Sequence, residues 1–216
     1  MSFLAENFPL IRDAFLTTLS LAVVSGICAL LLGTLLAAMR VSPVPALRGL
    51  ATFYVELFRN TPLTVVFFFL AFGIVYIDLQ FPSRFLTAVA ALALYTAAFV
   101  CEALRSGINA VPAGQAEAAR ALGLDFRQSL TTVVLPQAFR TVVPPLGNVW
   151  IALAKNTSIA AGFAVADLTA LLQRLSNSAA DELALVFVAV VAGYLVITLP
   201  SAYVISVLER RLAIVR

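Results

Sequence analysis

Histidine is absent from this 216-residue chain, lysine occurs once and cysteine twice. Without histidine there are no histidine metal sites and no imidazole general base. Cys28 and Cys101 each lie inside an apolar stretch, where they read as small buried apolar side chains and not as a disulfide. Charge is scarce too: Asp, Glu, Lys and Arg make up 12% of the residues, about half the usual ~25%. Internal repeats, low-complexity tracts and linkers are missing. Apolar residues fill the space, at 62% against roughly 45–50% in soluble domains, and mean hydropathy is +1.02. A water-soluble globule of this size has too little interior for that surface, so part of the solvent must be lipid. This excludes a soluble enzyme, a disordered tail and a nucleic-acid module. A net charge of +3 accounts for the pI of 9.2 without a polyanionic partner.

Four charge-free intervals stand out: 14–39, 60–77, 85–101 and 183–208. Crossing the hydrocarbon core takes about 20 apolar residues as a helix, within a range of roughly 17–25. A fifth interval, 141–166, is apolar apart from Lys155. It counts as a span because leaving it out would reverse the side of the C-terminus; the alternative is a short interfacial or re-entrant segment. Barrel strands would alternate with period two, which these intervals do not. The first interval is too long for a signal-peptide core and has no basic leader, so no cleavage is expected. The expectation is an all-α membrane protein, one domain over 1–216, with five transmembrane helices.

Five spans put the termini on opposite sides, and basic residues mark the inner side. One side collects ten arginines (Arg40, Arg48, Arg59, Arg105, Arg120, Arg127, Arg140, Arg210, Arg211, Arg216) against five carboxylates. The other holds Arg12, Arg84 and Arg174 against six carboxylates, Asp167 among them. The N-terminus is therefore expected outside and the C-terminus in the cytoplasm.

The sizeable polar excursion is then cytoplasmic, over 102–140. Ala113 to Leu122 is rich in alanine, the best helix former, and follows Pro112. Gly123 suits the position just past a helix end. Asp125 with Gln128 has capping-box spacing. The pattern predicts a second short helix from Phe126 to about Val134, ended or kinked by Pro136. On the residues alone this is either a structured connector or a docking knob. For docking, Ala116, Ala118, Ala119 and Ala121 allow close approach, and Glu117, Arg120 and Arg127 supply orientation.

Glu117-Ala118-Ala119, then Gly123, then Leu135-Pro136 at this spacing resembles the EAA motif of bacterial ABC-importer permeases, with Val133 where an isoleucine is usual. Glu56 with Arg59-Asn60-Thr61-Pro62, the run from Glu102 through Arg105 to Ile108, and Lys155-Asn156-Thr157-Ser158 are similar to its polar amino-acid subfamily. Within it, the stretches MRVSPV, RNTPLT, LRSGIN, GQAEAARALGL and PLGN look like glutamate-uptake permeases of actinobacteria. The resemblance implies a type I ABC-importer-like permease in a bacterial cell membrane. It implies that Glu117, Ala118, Ala119, Arg120, Gly123, Leu135 and Pro136 belong to the surface that couples to a cytoplasmic ATPase. It also implies a second permease, identical or homologous, and an extracytoplasmic amino-acid-binding protein. The chain has no Gly-rich GK[ST] loop, so ATP and Mg are expected on the ATPase and no cofactor on this chain.

Lys155 falls near the middle of the interval 141–166, the fourth span in chain order, where a charge costs roughly 2.5–3.5 kcal/mol on insertion scales. Asn148, Lys155 and Ser158 share a stripe at helical spacing. Two readings stay open: Lys155 pairs structurally, or the stripe with Asn156 lines a substrate pathway and Lys155 holds a substrate carboxylate. This span carries no acidic residue, which favours acidic or neutral substrates over basic ones. Thr61 and Thr64, next to Pro62, are further pathway candidates. Glu56 with Arg59, and Glu102 with Arg105, have ion-pair spacing at helix ends. Phe67, Phe68 and Phe69 read as lipid-facing or packing side chains, and Gly26 and Gly33 as sites of close helix contact. Rival functions are a channel or secondary transporter outside the ABC class, using Lys155 as coupling or selectivity charge, and, lowest, an intramembrane enzyme, for which no Ser–Lys spacing is present.

Overall fold

A computed structural model describes residues 2–178 and 180–212; Arg216, counted above with the inner-side arginines, lies outside them. The described residues form helices and no strand. After a short helical turn at Ser2–Glu6 come α1 (Phe8–Val41), α2 (Pro45–Asn60), α3 (Leu63–Ile77), α4 (Arg84–Asn109), α5 (Ala113–Ala121), α6 (Phe126–Phe163), α7 (Leu168–Ser178) and α8 (Leu183–Leu212). Among them, α1, α4 and α8 are each long and apolar enough to cross a membrane, and the number rises to five if the bent pairs α2–α3 and α6–α7 each make one span.

The bundle is built on α4. It packs along α1 on one side and α6 on the other, and α8 extends the row beyond α6. Small residues set the spacing: a Cβ on Gly33 would sit 2.6 Å from the Val100 side chain and 2.8 Å from the Ala97 carbonyl oxygen. Gly26 likewise admits the Trp150 ring. Both glycines do what the sequence suggests, letting helices pack without a hydrophobic force between them.

Several elements differ from their sequence reading. α2 was not foreseen. It crosses α3 at 106°, buries Ala51 and Val55, and leaves Leu50 and Phe53 exposed. Its charges interrupt every long apolar run, so a search for charge-free intervals passes over it. α3 covers 15 residues, about 22 Å at helical rise, and contains a π-turn over Phe69–Gly73 and a 3-10 turn over Ile74–Ile77.

Pro136 does not end a helix. α6 begins with the short helix Phe126–Gln128, widens to a π-turn over Ser129–Val134, and continues as an α-helix over Leu135–Asn156. The wide turn closes with the Leu135 N–H on the Leu130 carbonyl, one residue before the proline that has no N–H to give. Thr131 and Thr132 hydroxyls bond back to the Arg127 and Gln128 carbonyls, the kind of contact that loosens a helical ladder. α4 likewise runs on to Asn109, so the beginning of the expected loop is the end of that helix.

Asp167, counted above with the outer carboxylates, is fully buried. Its Oδ1 accepts from the Ala170 N–H at 2.8 Å, capping α7. Oδ2 lies 3.4 Å from the Tyr194 hydroxyl of α8, and the neighbouring Leu168 N–H donates to Thr18 of α1 at 3.0 Å. The carboxylate thus ties α7 to α8, and the adjoining Leu168 N–H adds α1. Cys28 is exposed on α1, contrary to its expected burial; Cys101 is buried, and both are free.

Candidate functional site: an exposed knob and a groove between two helices

α5 ends in two hydrogen bonds that define its shape. The Gly123 N–H donates to the Arg120 carbonyl at 2.9 Å, and the Leu124 N–H reaches the Ala119 carbonyl at 3.2 Å. Gly123 itself has φ +85°, a conformation side chains resist, so glycine is required at this elbow. Two residues on, Asp125 and Gln128 exchange the reciprocal bonds of a capping box at 2.7 and 3.0 Å. Helix stop and helix start follow within three residues, which makes a compact, rigid knob.

Glu117, Ala118, Arg120 and Gly123 lie exposed on that knob, while Ala119 is buried at its base. Leu135 and Pro136 follow beyond the π-turn of α6 and are exposed too. The structure adds two residues that sequence reasoning missed: Leu122, 84% exposed, and Phe126, 72% exposed. Large apolar side chains bracketing a glycine in a polar loop were the signal. An exposed apolar pair on a rigid turn is the composition of a contact surface.

Behind the knob, Glu102 gathers three arginines. Arg105 contacts it at 3.0 Å and Arg59 approaches to 3.7 Å, while Arg40 bonds directly to its other oxygen. The Glu102–Arg105 pair matches its expected spacing. The Glu56–Arg59 pair does not form: Arg59 turns to Glu102, and Glu56 stays exposed. The hub therefore joins the ends of α1, α2 and α4, and sequence spacing within one helix could not show the long-range partners.

Toward the middle of the bundle, α4 and α6 enclose a groove of about 280 Å³. Tyr95, Thr96 and Phe99 face Asn148, Ala152 and Asn156 across it. Two of the expected pathway residues, Asn148 and Asn156, thus meet in one place. Lys155 is exposed beside them, outside the groove, and Ser158 and Thr61 do not line it. The Thr61 hydroxyl is spent on the Leu57 carbonyl at 2.7 Å. At Lys155-Asn156 the α-helix gives way to a 3-10 segment, Thr157–Phe163, which ends at Ala164 in a left-handed conformation. Phe163 stacks on the buried ring of Phe67 with centroids 4.8 Å apart, fixing α3 against this change of winding. Phe68 and Phe69 are exposed, as packing or lipid-facing rings would be.

A family profile described as "Binding-protein-dependent transport system inner membrane component" matches residues 29–214. The chain is 42% identical to the "Glutamate transport system permease protein GluC" of Corynebacterium efficiens, over 97% of both chains. It is 38% identical to the "Probable glutamine ABC transporter permease protein GlnM" of Bacillus subtilis, over 98% of this chain and 97% of that one. A solved structure described as "Crystal structure of an amino acid ABC transporter with histidines" superimposes with a TM-score of 0.88 at 32% identity, covering 96% of each chain.

Proposed function

The chain belongs to the family of binding-protein-dependent transport system inner membrane components, and on that premise we propose that it is the amino-acid permease subunit of an ATP-driven importer, with glutamate or another acidic or polar amino acid as substrate. The observation that carries the coupling half of this reading is the knob at Gly123, a rigid, partly apolar elbow on which Leu122 and Phe126 stand largely exposed among the described residues. A cytoplasmic ATPase carries ATP and Mg and docks there. Because α6 stays helical from the knob to Phe163, through a π-turn and a closing 3-10 segment, a push on the elbow is delivered along one element to the groove at Asn148 and Asn156. The spans then swing between inward-open and outward-open arrangements.

The groove is small for a whole site, and Asn148 and Lys155 are exposed at its edge. A second permease, identical or homologous, completes the pathway by facing it. An extracytoplasmic binding protein delivers substrate to the outer mouth, formed by the α7 side of the bundle. Lys155 supplies a positive charge beside the groove and meets the substrate carboxylate. The preference for acidic substrate draws on that charge and on the glutamate-named relative, while the glutamine-named one keeps a neutral polar substrate in view.

The test of docking is Gly123→Arg in the reconstituted complex. Stimulated ATP hydrolysis and amino-acid uptake should come apart, with the membrane fold kept. Normal uptake by this variant would remove the knob from the mechanism. Substrate class is read by competition: labelled glutamate uptake should be displaced by aspartate or glutamine and not by arginine.

A further inference from the structure

Between α1 and α8 lies a second, larger cavity. It holds about 650 Å³ and is walled almost wholly by apolar side chains. Ile27 and Leu30 form one wall, Val204 and Leu208 the other, and Trp150 lies on the floor, its Nε1–H tied to the Ser201 hydroxyl at 3.1 Å. At one end the helices close together on Ala22, Ala154 and Ile197. Toward the other end Leu30, Phe139 and Leu208 remain exposed.

The open end is the basic end. On α8, Arg211 stands three residues past Leu208 and seven past Val204, which continues the lining stripe. Glu209, the acid of that turn, sits about 100° round the helix from Leu208. On α6, Arg140 stands three residues before Val143, another lining residue, on the second wall. Both arginines are exposed, and the Glu102 hub uses neither. The polar stripe proposed to meet the second permease lies elsewhere: Lys155 is about half a turn round α6 from Leu146, which lines the cleft.

We infer that this cleft is a binding site for an anionic phospholipid, one acyl chain lying in the wedge over Trp150 and the phosphate held at Arg140 and Arg211. A dry apolar wedge takes hydrocarbon without leaving polar groups unsatisfied, and basic residues at the cytoplasmic mouth between helices select anionic headgroups. The lipid would pin α8 to α6 just beyond Leu135-Pro136, where motion from the knob enters the membrane. Zwitterionic lipid fills the wedge equally well and lacks the charge to stay.

Trp150 is the chain's only tryptophan, so its fluorescence reports the cleft. The full chain in nanodiscs would be titrated with phosphatidylglycerol or phosphatidylcholine brominated on the acyl chains. Phosphatidylglycerol should quench at a mole fraction lower by about tenfold. Arg140→Gln with Arg211→Gln should erase that difference while circular dichroism stays unchanged. Equal quenching by both lipids before mutation overturns the site, leaving an unselective annulus. Absence of quenching overturns it in another way, by showing that protein, such as a second copy of this chain, covers Trp150. Val204→Trp provides a second reading by filling the wedge: native mass spectrometry should show loss of retained phosphatidylglycerol, and undiminished retention places the lipid elsewhere. These outcomes do not depend on which amino acid is transported.

Discussion

Single residues here earn their place by charge in a poor dielectric. Lys155 is exposed at the edge of the Asn148–Asn156 groove, with its own span offering it no carboxylate. Removing a charge-assisted contact worth ~1.5–3 kcal/mol should lower uptake of an acidic amino acid by about 10–100-fold in Lys155→Met, measured per assembled complex. Lys155→Arg should retain most of it. Unchanged uptake in Lys155→Met would make the residue structural. Glu102 presents the converse case. Arg40 and Glu102 are only 15% and 20% exposed, so Glu102→Gln leaves arginines facing each other with little water. A loss of about 2 kcal/mol follows, seen as an apparent melting point lower by roughly 4–8 °C in detergent. Arg59→Gln should cost far less, since Arg59 is nearly half exposed at 3.7 Å. Within one helix the sequence showed the Glu102–Arg105 pair, because helical spacing is a local rule. It could not show Arg40 or Arg59 arriving from other helices.

At the scale of elements, legibility followed how local each cause is. The α5 end at Gly123 and the α6 start at Asp125 were readable because caps are local chemistry. Asp125→Ala should remove the capping box and cost about 1 kcal/mol, raising hydrogen exchange over residues 126–134 by about fivefold with the bundle unaffected. Of the two expectations at Pro136, an end or a kink, the end is not met, because a π-turn placed just before it absorbs the missing N–H. α2 was missed for a different reason: its apolar residues are spaced around charges, so only its amphipathic pattern marks it. The burial of Asp167 was not legible because sequence shows charge and not burial; Tyr194, which meets its carboxylate, and Thr18, which accepts from the neighbouring Leu168 N–H, are far away in the chain. Of the candidate site, the knob was therefore visible almost whole, missing only Leu122 and Phe126. The groove was visible by half: Asn148 and Asn156 on α6 were found, while Tyr95, Thr96 and Phe99 on α4 needed the packing of two helices to appear.

For the whole molecule the decisive quantity is the side on which charge accumulates. If α2–α3 and α6–α7 each make one crossing, the chain crosses five times, and the turn after α3 lies opposite the α5 knob. Nine arginines of the described residues then share one side with the knob, and an inward-facing excess of arginine is what membrane insertion favours. Ion pairing reinforces the choice, since the Glu102 hub neutralises part of that charge and still leaves the side strongly basic. The arrangement predicts labelling from opposite faces. With Cys28 and Cys101 replaced by alanine, a cysteine at Ser83, in the turn before α4, should react with a membrane-impermeant maleimide added outside whole cells. A cysteine at Gly114, on the exposed surface of α5, should react only once the membrane is opened. Labelling of Gly114→Cys in intact cells would put the knob on the wrong side for any cytoplasmic ATPase, and the coupling proposal would fall with the topology.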